Sequence, residues 1–280
     1  MARSIDVMHL GRDRVIGAFE VGEGVIIDPG PASCVDTLLE QVEPRALLLT
    51  HIHLDHAGAT GVLVRRNPEL KVYVHERGAP HLIDPSRLLK SAAQLYGDEM
   101  EHLWGEVAPV PEENITVLSG GETVEGCRVA YAPGHASHHV VYLHEDSGEA
   151  LVGDVAGVRV PPGDLVVAPT PPPDIDVEAW NRSLDQLEEW RPERLRLTHF
   201  GTVDDVPGQV ERLRTWLAEW GALARDLGQD EWILRLRETI RTQERDVAER
   251  IEQAAPPQQL WLGLERYWRK RAERGGEEAA

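Results

Sequence analysis

Six consecutive residues, His51-Ile52-His53-Leu54-Asp55-His56, offer four side chains able to ligate a metal, and they follow directly on 46–50, an apolar run with no polar alternation. A strand of that composition is buried on both faces, which predicts a sheet covered on each side. Polar side chains this dense at the end of a buried strand need a shared partner. An i, i+2 histidine pair in an extended loop points both imidazoles to one side, while Asp55 and His56, at a helix start, turn toward a neighbouring ion. One loop thus serves two metals. Three more candidates stand at comparable junctions: His135 follows strand 128–132 through Pro133-Gly134, Asp154 ends 150–153, and His199 ends 195–198. In α/β architectures ligands gather at strand ends, because the loops vary while the sheet fixes their positions.

The rest of the chain fits that architecture. Strands are expected at 5–10, 14–21 and 24–27, the last before the turn Asp28-Pro29-Gly30, and at 71–74 and 140–144; helices are expected at 34–41 and 55–66. The segment 76–115 reads as a lid-like insert in which Asp84-Pro85 caps a helix over 86–97. The proline-dense stretch 161–173 ends at Asp174 and Asp176, either of which caps an amphipathic helix carrying Trp180, Leu184 and Leu187, and it is expected to border the site. A catalytic domain then spans 1–208, a helical extension 209–274 divided at Pro256-Pro257, and a flexible tail 275–280. Trp216, Trp220, Trp232, Trp261 and Trp268 fall in the extension, where anchoring the helices to the core, or to a second subunit in a homodimer, is the simpler role than contact with substrate.

Charge and cysteines narrow the function. A net charge of −19 repels phosphate backbones, so a small-molecule substrate is expected and nucleic acid is not. No run of eighteen apolar residues or apolar leader is present, and Cys34 and Cys127 lie far from any CxxC spacing; together these predict a soluble, cytoplasmic protein with no membrane partner and no zinc knuckle.

Thr50-His51-x-His53-x-Asp55-His56, Ala132-Pro133-Gly134-His135, Gly153-Asp154 and His199 together resemble the metallo-β-lactamase superfamily, over residues 5 to 200. The resemblance implies a four-layer αββα sandwich with a binuclear centre: His51, His53 and His135 on one ion, Asp55, His56 and His199 on the other, and Asp154 bridging. An aspartate at 154 resembles the glyoxalase II and lactonase branches, whereas many of the true β-lactamases carry a cysteine or lack that ligand. Flavodiiron members have a glutamate where this chain has His53 and add a flavodoxin domain, for which 200–280 leaves no room. Nuclease branches add a large insert or an RNA-binding arm that is missing here. His138-His139 departs from the glyoxalase II pattern, which has a glycine before its second histidine; ligation or proton transfer, and hydrogen-bond support of a ligand, both remain open for this pair.

The expected chemistry is hydrolysis of an ester, thioester or lactone by a metal-bridging hydroxide, with Asp154 orienting the nucleophile and passing its proton on and Asp55 as the alternative carrier. Two divalent ions are implied, zinc first by donor type, with iron or manganese admitted by the same donors. Competing expectations are a mononuclear iron persulfide dioxygenase-like oxidoreductase, a small-molecule phosphodiesterase, and a binding module with purely structural metals.

Overall fold

The structure is a computed structural model that describes residues 1–278. Strands β1 (Arg3–Asp6), β2 (Gly17–Glu20), β3 (Val25–Ile27), β4 (Ala46–Leu48), β5 (Lys71–His75) and β6 (Ile115–Leu118) form one sheet in sequence order. The second sheet holds β7 (Thr123–Val124), β8 (Cys127–Tyr131), β9 (Val140–His144), β10 (Glu149–Leu151), β11 (Arg194–Leu197) and β12 (Gly201–Val203), again in order. Its parallel β10–β11 pair sets Ala150 opposite Leu195, so the chain leaves both strands toward the same edge, carrying Asp154 and His199 with it.

Side chains alternate between layers with the period of two that strands impose. Val25, Ile27, Ala46 and Leu48 meet Cys127, Val129, Val140 and Tyr142 between the sheets. Their neighbours Ile26, Leu47 and Leu49 face outward and are covered by helices α1 (Val35–Leu39), α2 (Leu54–Ala57) and α3 (Thr60–Arg66) and by a second group, α4 (Ala79–Ile83), α5 (Ser86–Tyr96) and α6 (Met100–Trp104). On the other sheet, Ala130, Val141 and Ala150 face a cluster built with α7 (Val177–Trp190), α8 (Val206–Asp226), α9 (Gln229–Gln243), α10 (Ala248–Ala254) and α11 (Pro257–Glu278). This is an αββα sandwich with C-terminal helices, and it explains the unbroken apolar strand: both faces of β4 are dry. No helix among the described residues is long and apolar enough to cross a membrane.

Several boundaries differ from expectation for local reasons. The helix expected over 55–66 is two helices, because Ala59 N donates to Gly30 O at 2.9 Å and Gly30 N to His56 O at 3.0 Å, which turns the chain between them. Asp176, not Asp174, caps α7, accepting from Ala179 N at 2.8 Å; Asp174 accepts instead from Ser137 Oγ at 2.5 Å. The C-terminal region holds four helices and begins at Val206, where Asp205 accepts from Gly208 N at 3.0 Å. Trp216 and Trp232 are buried in it, with Trp220 packed 5.5 Å from Trp232. The tail expected at 275–280 falls partly within α11, and residues 279–280 lie outside the described residues.

A buried ion pair ties the second sheet to the N-terminus. Glu149 accepts from Arg196 Nη2 at 2.6 Å and from Ala2 N at 2.6 Å. Burial pushes the Glu149 carboxyl up, but the Ala2 N–H and the Arg196 guanidinium outweigh it and hold the group below its ordinary range. A depressed folded value means that this stabilisation is present above the unfolded pKa and is lost as pH falls through the folded one. Glu149→Gln, which leaves Arg196 buried without its counter-charge, is expected to cost about 3 kcal/mol at neutral pH. The variant should also lose less stability than wild type on acidification below the ordinary glutamate range; urea melts over a pH series measure both effects.

Candidate metal centre

The buried end of β4 sets the first loop. Thr50 donates from its backbone N and its Oγ1 to Asp28, at 2.8 and 2.6 Å, and Asp28 also accepts from His56 Nδ1 at 2.8 Å. Because the Thr50 hydroxyl proton goes to Asp28, its oxygen accepts from His51 Nδ1, 3.0 Å away. His135 Nδ1 donates to Pro169 O at 2.7 Å and His199 Nδ1 to Val15 O at 2.6 Å. In each of these four rings Nδ1 carries a proton, and Nε2 is turned inward.

The inward atoms converge. One donor atom from each of His51, His53, His135 and Asp154 lies within 4.8 Å of the others, and the same holds for Asp55, His56 and His199. His53 Nδ1 is 3.0 Å from both His51 Nε2 and His135 Nε2. Asp154 stands between the groups, with Oδ2 3.3 Å from His135 Nε2 and Oδ1 3.3 Å from His56 Nε2 and 3.5 Å from His199 Nε2. Asp55 Oδ2 approaches His199 Nε2 to 3.2 Å. All seven candidates from the sequence are brought together.

Three of these atoms, His56 Nε2, His199 Nε2 and Asp154 Oδ1, are buried and lack a hydrogen-bond partner. Orphaned polar atoms cost free energy unless something pairs with them, and imidazole and carboxylate atoms facing one another at these distances are a donor set for cations. Electrostatics agree. Burial, then the neighbouring rings, pushes His51 well below its ordinary range, and burial with His135 takes His53 to about 4. At His56, burial is outweighed by Asp154, Asp55 and Asp28, which raise it; at His199, burial is outweighed by Asp154 and Asp55. Both carboxyls are held low against burial, largely by His56. Without metal, two imidazolium protons do part of what a cation would do.

Glycine is required at two of the ligand turns. Gly134 has φ +136°, and a Cβ there would lie 2.3 Å from Trp180 Cα; Gly153, at φ +50°, would meet Thr50 Oγ1 at 2.4 Å. His138 and His139 part company. His139 is fully buried, stacks on His51 with centroids 4.7 Å apart, and accepts at Nε2 from Asp154 N at 3.3 Å. His138 accepts at Nδ1 from Ile52 N at 3.4 Å and lines the cavity above the cluster. Its neutral ring therefore presents Nε2–H. Asp28 was missed from the sequence, where it reads only as the start of a turn; its signal is a buried carboxylate that caps β3. Asp28→Ala removes the acceptor for both Thr50 and His56 and is expected to weaken metal binding by roughly 10- to 100-fold, as competition with a chelating dye would show.

The metallo-β-lactamase superfamily family model matches residues 15–199, a span containing all seven clustered side chains. The chain belongs to this superfamily. It is 29% identical over 188 residues to the metallo-β-lactamase fold-containing protein ST1585 of Sulfurisphaera tokodaii, covering 64% of this chain and 69% of that protein. The solved structure of ST1585 superposes with a TM-score of 0.66 at 25% identity, over 78% of this chain and 86% of that one. A structure of TTHA1623 in a di-iron-bound form superposes with a TM-score of 0.54 at 27% identity, over 71% of this chain and 94% of that chain. Hydroxyacylglutathione hydrolase of Hamiltonella defensa is 41% identical, but over 78 residues, or 26% of this chain and 29% of that enzyme. Superfamily membership brings metal binding, usually of zinc and sometimes of iron, and most members are hydrolases.

Proposed function

We propose that the protein is a binuclear metal-dependent hydrolase of carbonyl substrates, that is, esters, thioesters or lactones. The observation that carries this reading is the convergence of seven donors, five of them buried and His53 and Asp55 half-buried, on two adjacent points, with Asp154 reaching toward both. His51, His53 and His135 would hold one ion, Asp55, His56 and His199 the other, and Asp154 would contact both. When bound, two divalent ions supply an activated water as nucleophile and polarise the substrate carbonyl. Asp154, oriented by the His139 contact to its backbone, accepts a proton at Oδ1 and returns it to the leaving atom; Asp55 is the alternative carrier. His138 donates from Nε2 to a polar atom of the substrate at the cavity wall. The match to hydroxyacylglutathione hydrolases supports an acyl substrate.

Zinc suits this imidazole-rich set, and the di-iron form of TTHA1623 supports iron as an alternative occupant. An iron-dependent oxidation of the persulfide dioxygenase type is therefore the second reading. Chromogenic esters, thioesters, lactones and phosphodiesters, assayed after zinc, manganese or iron loading with oxygen uptake recorded in parallel, separate the two. Turnover of a carbonyl substrate without oxygen uptake is expected; oxygen uptake with iron alone, or phosphodiester cleavage alone, would refute the proposal.

A further inference from the structure

The cavity above the metal cluster, about 400 Å³, has two unlike ends. Helix α5 runs along it and presents Leu88, Ala92, Leu95 and Tyr96 to it, a spacing of four, three and one that puts them on one helical face. At the C-terminal end of that face, Tyr96 packs 5.1 Å from Trp104, and Trp104 stacks 5.4 Å from His9. His9 is neutral here: its Nε2 donates to Leu103 O at 2.9 Å, its Nδ1 accepts from Gln253 at 3.1 Å, and burial lowers its pKa. At that end Tyr96 donates to Gln259 of α11 at 3.3 Å, so α5 and α11 meet there. The cavity lining there is mainly apolar, with Leu95, Leu103 and Trp104, and its polar groups, Gln253, Gln259 and the Tyr96 hydroxyl, are neutral.

The opposite end is cationic. Arg77 and Arg87, the latter in the first turn of α5, line the cavity beside His81 and His138. Neither guanidinium has a carboxylate within ion-pair distance among the described residues, although the chain carries 48 acidic residues against 29 basic ones. Arg77 lies over the ring of Tyr131 at 5.7 Å, and Tyr131 in turn donates to Ser137 O at 2.9 Å, which places the cation next to the His138 loop. Asp174, which lines the cavity with Arg77 and Arg87, is engaged by Ser137. From Arg87 to Tyr96 the helix rises about 13 Å, and the cluster residues His53, Asp55, Asp154 and His199 line the same cavity. Arg77, Ser137 and Asp174 also line a second cleft of about 520 Å³, open to solvent, to which Arg182, Lys270 and Arg271 contribute beside Asp176 and Glu178.

We propose that the site takes an ester or thioester of two unlike halves: an unbranched apolar acyl chain lying along α5 toward Tyr96 and Trp104, and an alcohol or thiol whose anionic group rests at Arg77 and Arg87. This deepens the hydrolase reading and rests on it. The Tyr96 end receives the acyl chain because it offers no charged partner, and the Arg77 end, which shares Arg77, Ser137 and Asp174 with the basic cleft, takes the larger polar half. Water adds its oxygen to the carbonyl carbon, the carbon–sulfur or carbon–oxygen bond breaks, one water proton passes to the leaving atom, and the other leaves from the new carboxylic acid.

The test compares octanoyl thioesters of 3-mercaptopropionate, phosphopantetheine and uncharged N-acetylcysteamine, with the acetyl thioester of 3-mercaptopropionate, on the zinc-loaded full chain. Octanoyl is expected to exceed acetyl in kcat/KM by at least about 100-fold, from the methylenes buried. At least one anionic thiol should exceed the neutral one by about tenfold, carboxylate or phosphate being identified by which does. Arg77→Ala and Arg87→Ala should each lower the ratio of anionic to neutral kcat/KM by about fivefold through KM. Equal rates for acetyl and octanoyl, equal rates for neutral and anionic thiols, an unchanged ratio in both variants, or a preference for a dicarboxylate monothioester of a neutral thiol would each overturn the proposal. Calorimetric titration of zinc-free protein with the octanoyl thioesters reads the same recognition without turnover. Arginine-dependent binding with no hydrolysis would sink the hydrolase reading alone, and hydrolysis with no chain-length or charge preference would sink this inference alone.

Discussion

Asp154→Ala is expected to lower kcat/KM for the best carbonyl substrate by roughly 10³- to 10⁴-fold, the range associated with losing a positioned proton carrier together with a metal contact. Asp154 oxygens lie 3.3 Å from ring nitrogens of both ligand groups, so this side chain faces both halves of the centre. The variant should hold fewer metal ions per chain than wild type, and the loss should appear in kcat more than in KM. Asp154→Asn keeps the shape but removes the charge; it should retain more metal than alanine and remain close to it in kcat. Wild-type rates in either variant would show that proton transfer and metal spacing are handled elsewhere.

Metal removal should have the largest effect on stability. The cluster crowds five imidazoles and two carboxylates into a buried volume, and in the metal-free protein only protonation of His56 and His199 offsets the two carboxylates. Ions that bind the folded chain alone stabilise it by mass action, about 4 kcal/mol for each site at a thousandfold excess over Kd. For a chain of this length that is a shift in Tm of roughly 8 °C or more for the first site filled. A thermal melt after exhaustive chelation, repeated with zinc restored, should show the drop and its recovery. A chelated sample melting with the holoprotein would mean that the cluster is held together by the sandwich without help from a cation.

How much of this was legible in the sequence depends on the range of the interaction concerned. Ligand types and their strand-end positions could be read because each motif is local: a histidine pair two apart, a Pro-Gly turn before His135, and a glycine whose missing side chain leaves room for Thr50 beside Asp154. Asp28 could not be recognised as part of the site, since its bonds to Thr50 and His56 span 22 and 28 residues and no period of two or 3.6 announces them. Strands β6, β7 and β12 were missed because they are short and lie at the sheet edges or beside them, with exposed residues such as Val117. The insert at 76–115 was recognisable as lid-like, yet that one face of α5 forms the cavity wall follows from how it packs against α6 and the start of α11. The division between His138 and His139 is likewise tertiary, since a pair of adjacent histidines points to opposite sides of an extended backbone without showing which side is the site.

The most direct test of the binuclear centre is anomalous diffraction from crystals of the zinc-loaded protein. Two peaks about 3.5–4 Å apart are expected, one within about 2.0–2.2 Å of His51, His53 and His135 nitrogens and one within that distance of Asp55, His56 and His199 atoms, with Asp154 in contact with both. Zinc bound elsewhere, or a single ion with every coordination position filled by protein atoms, would contradict it.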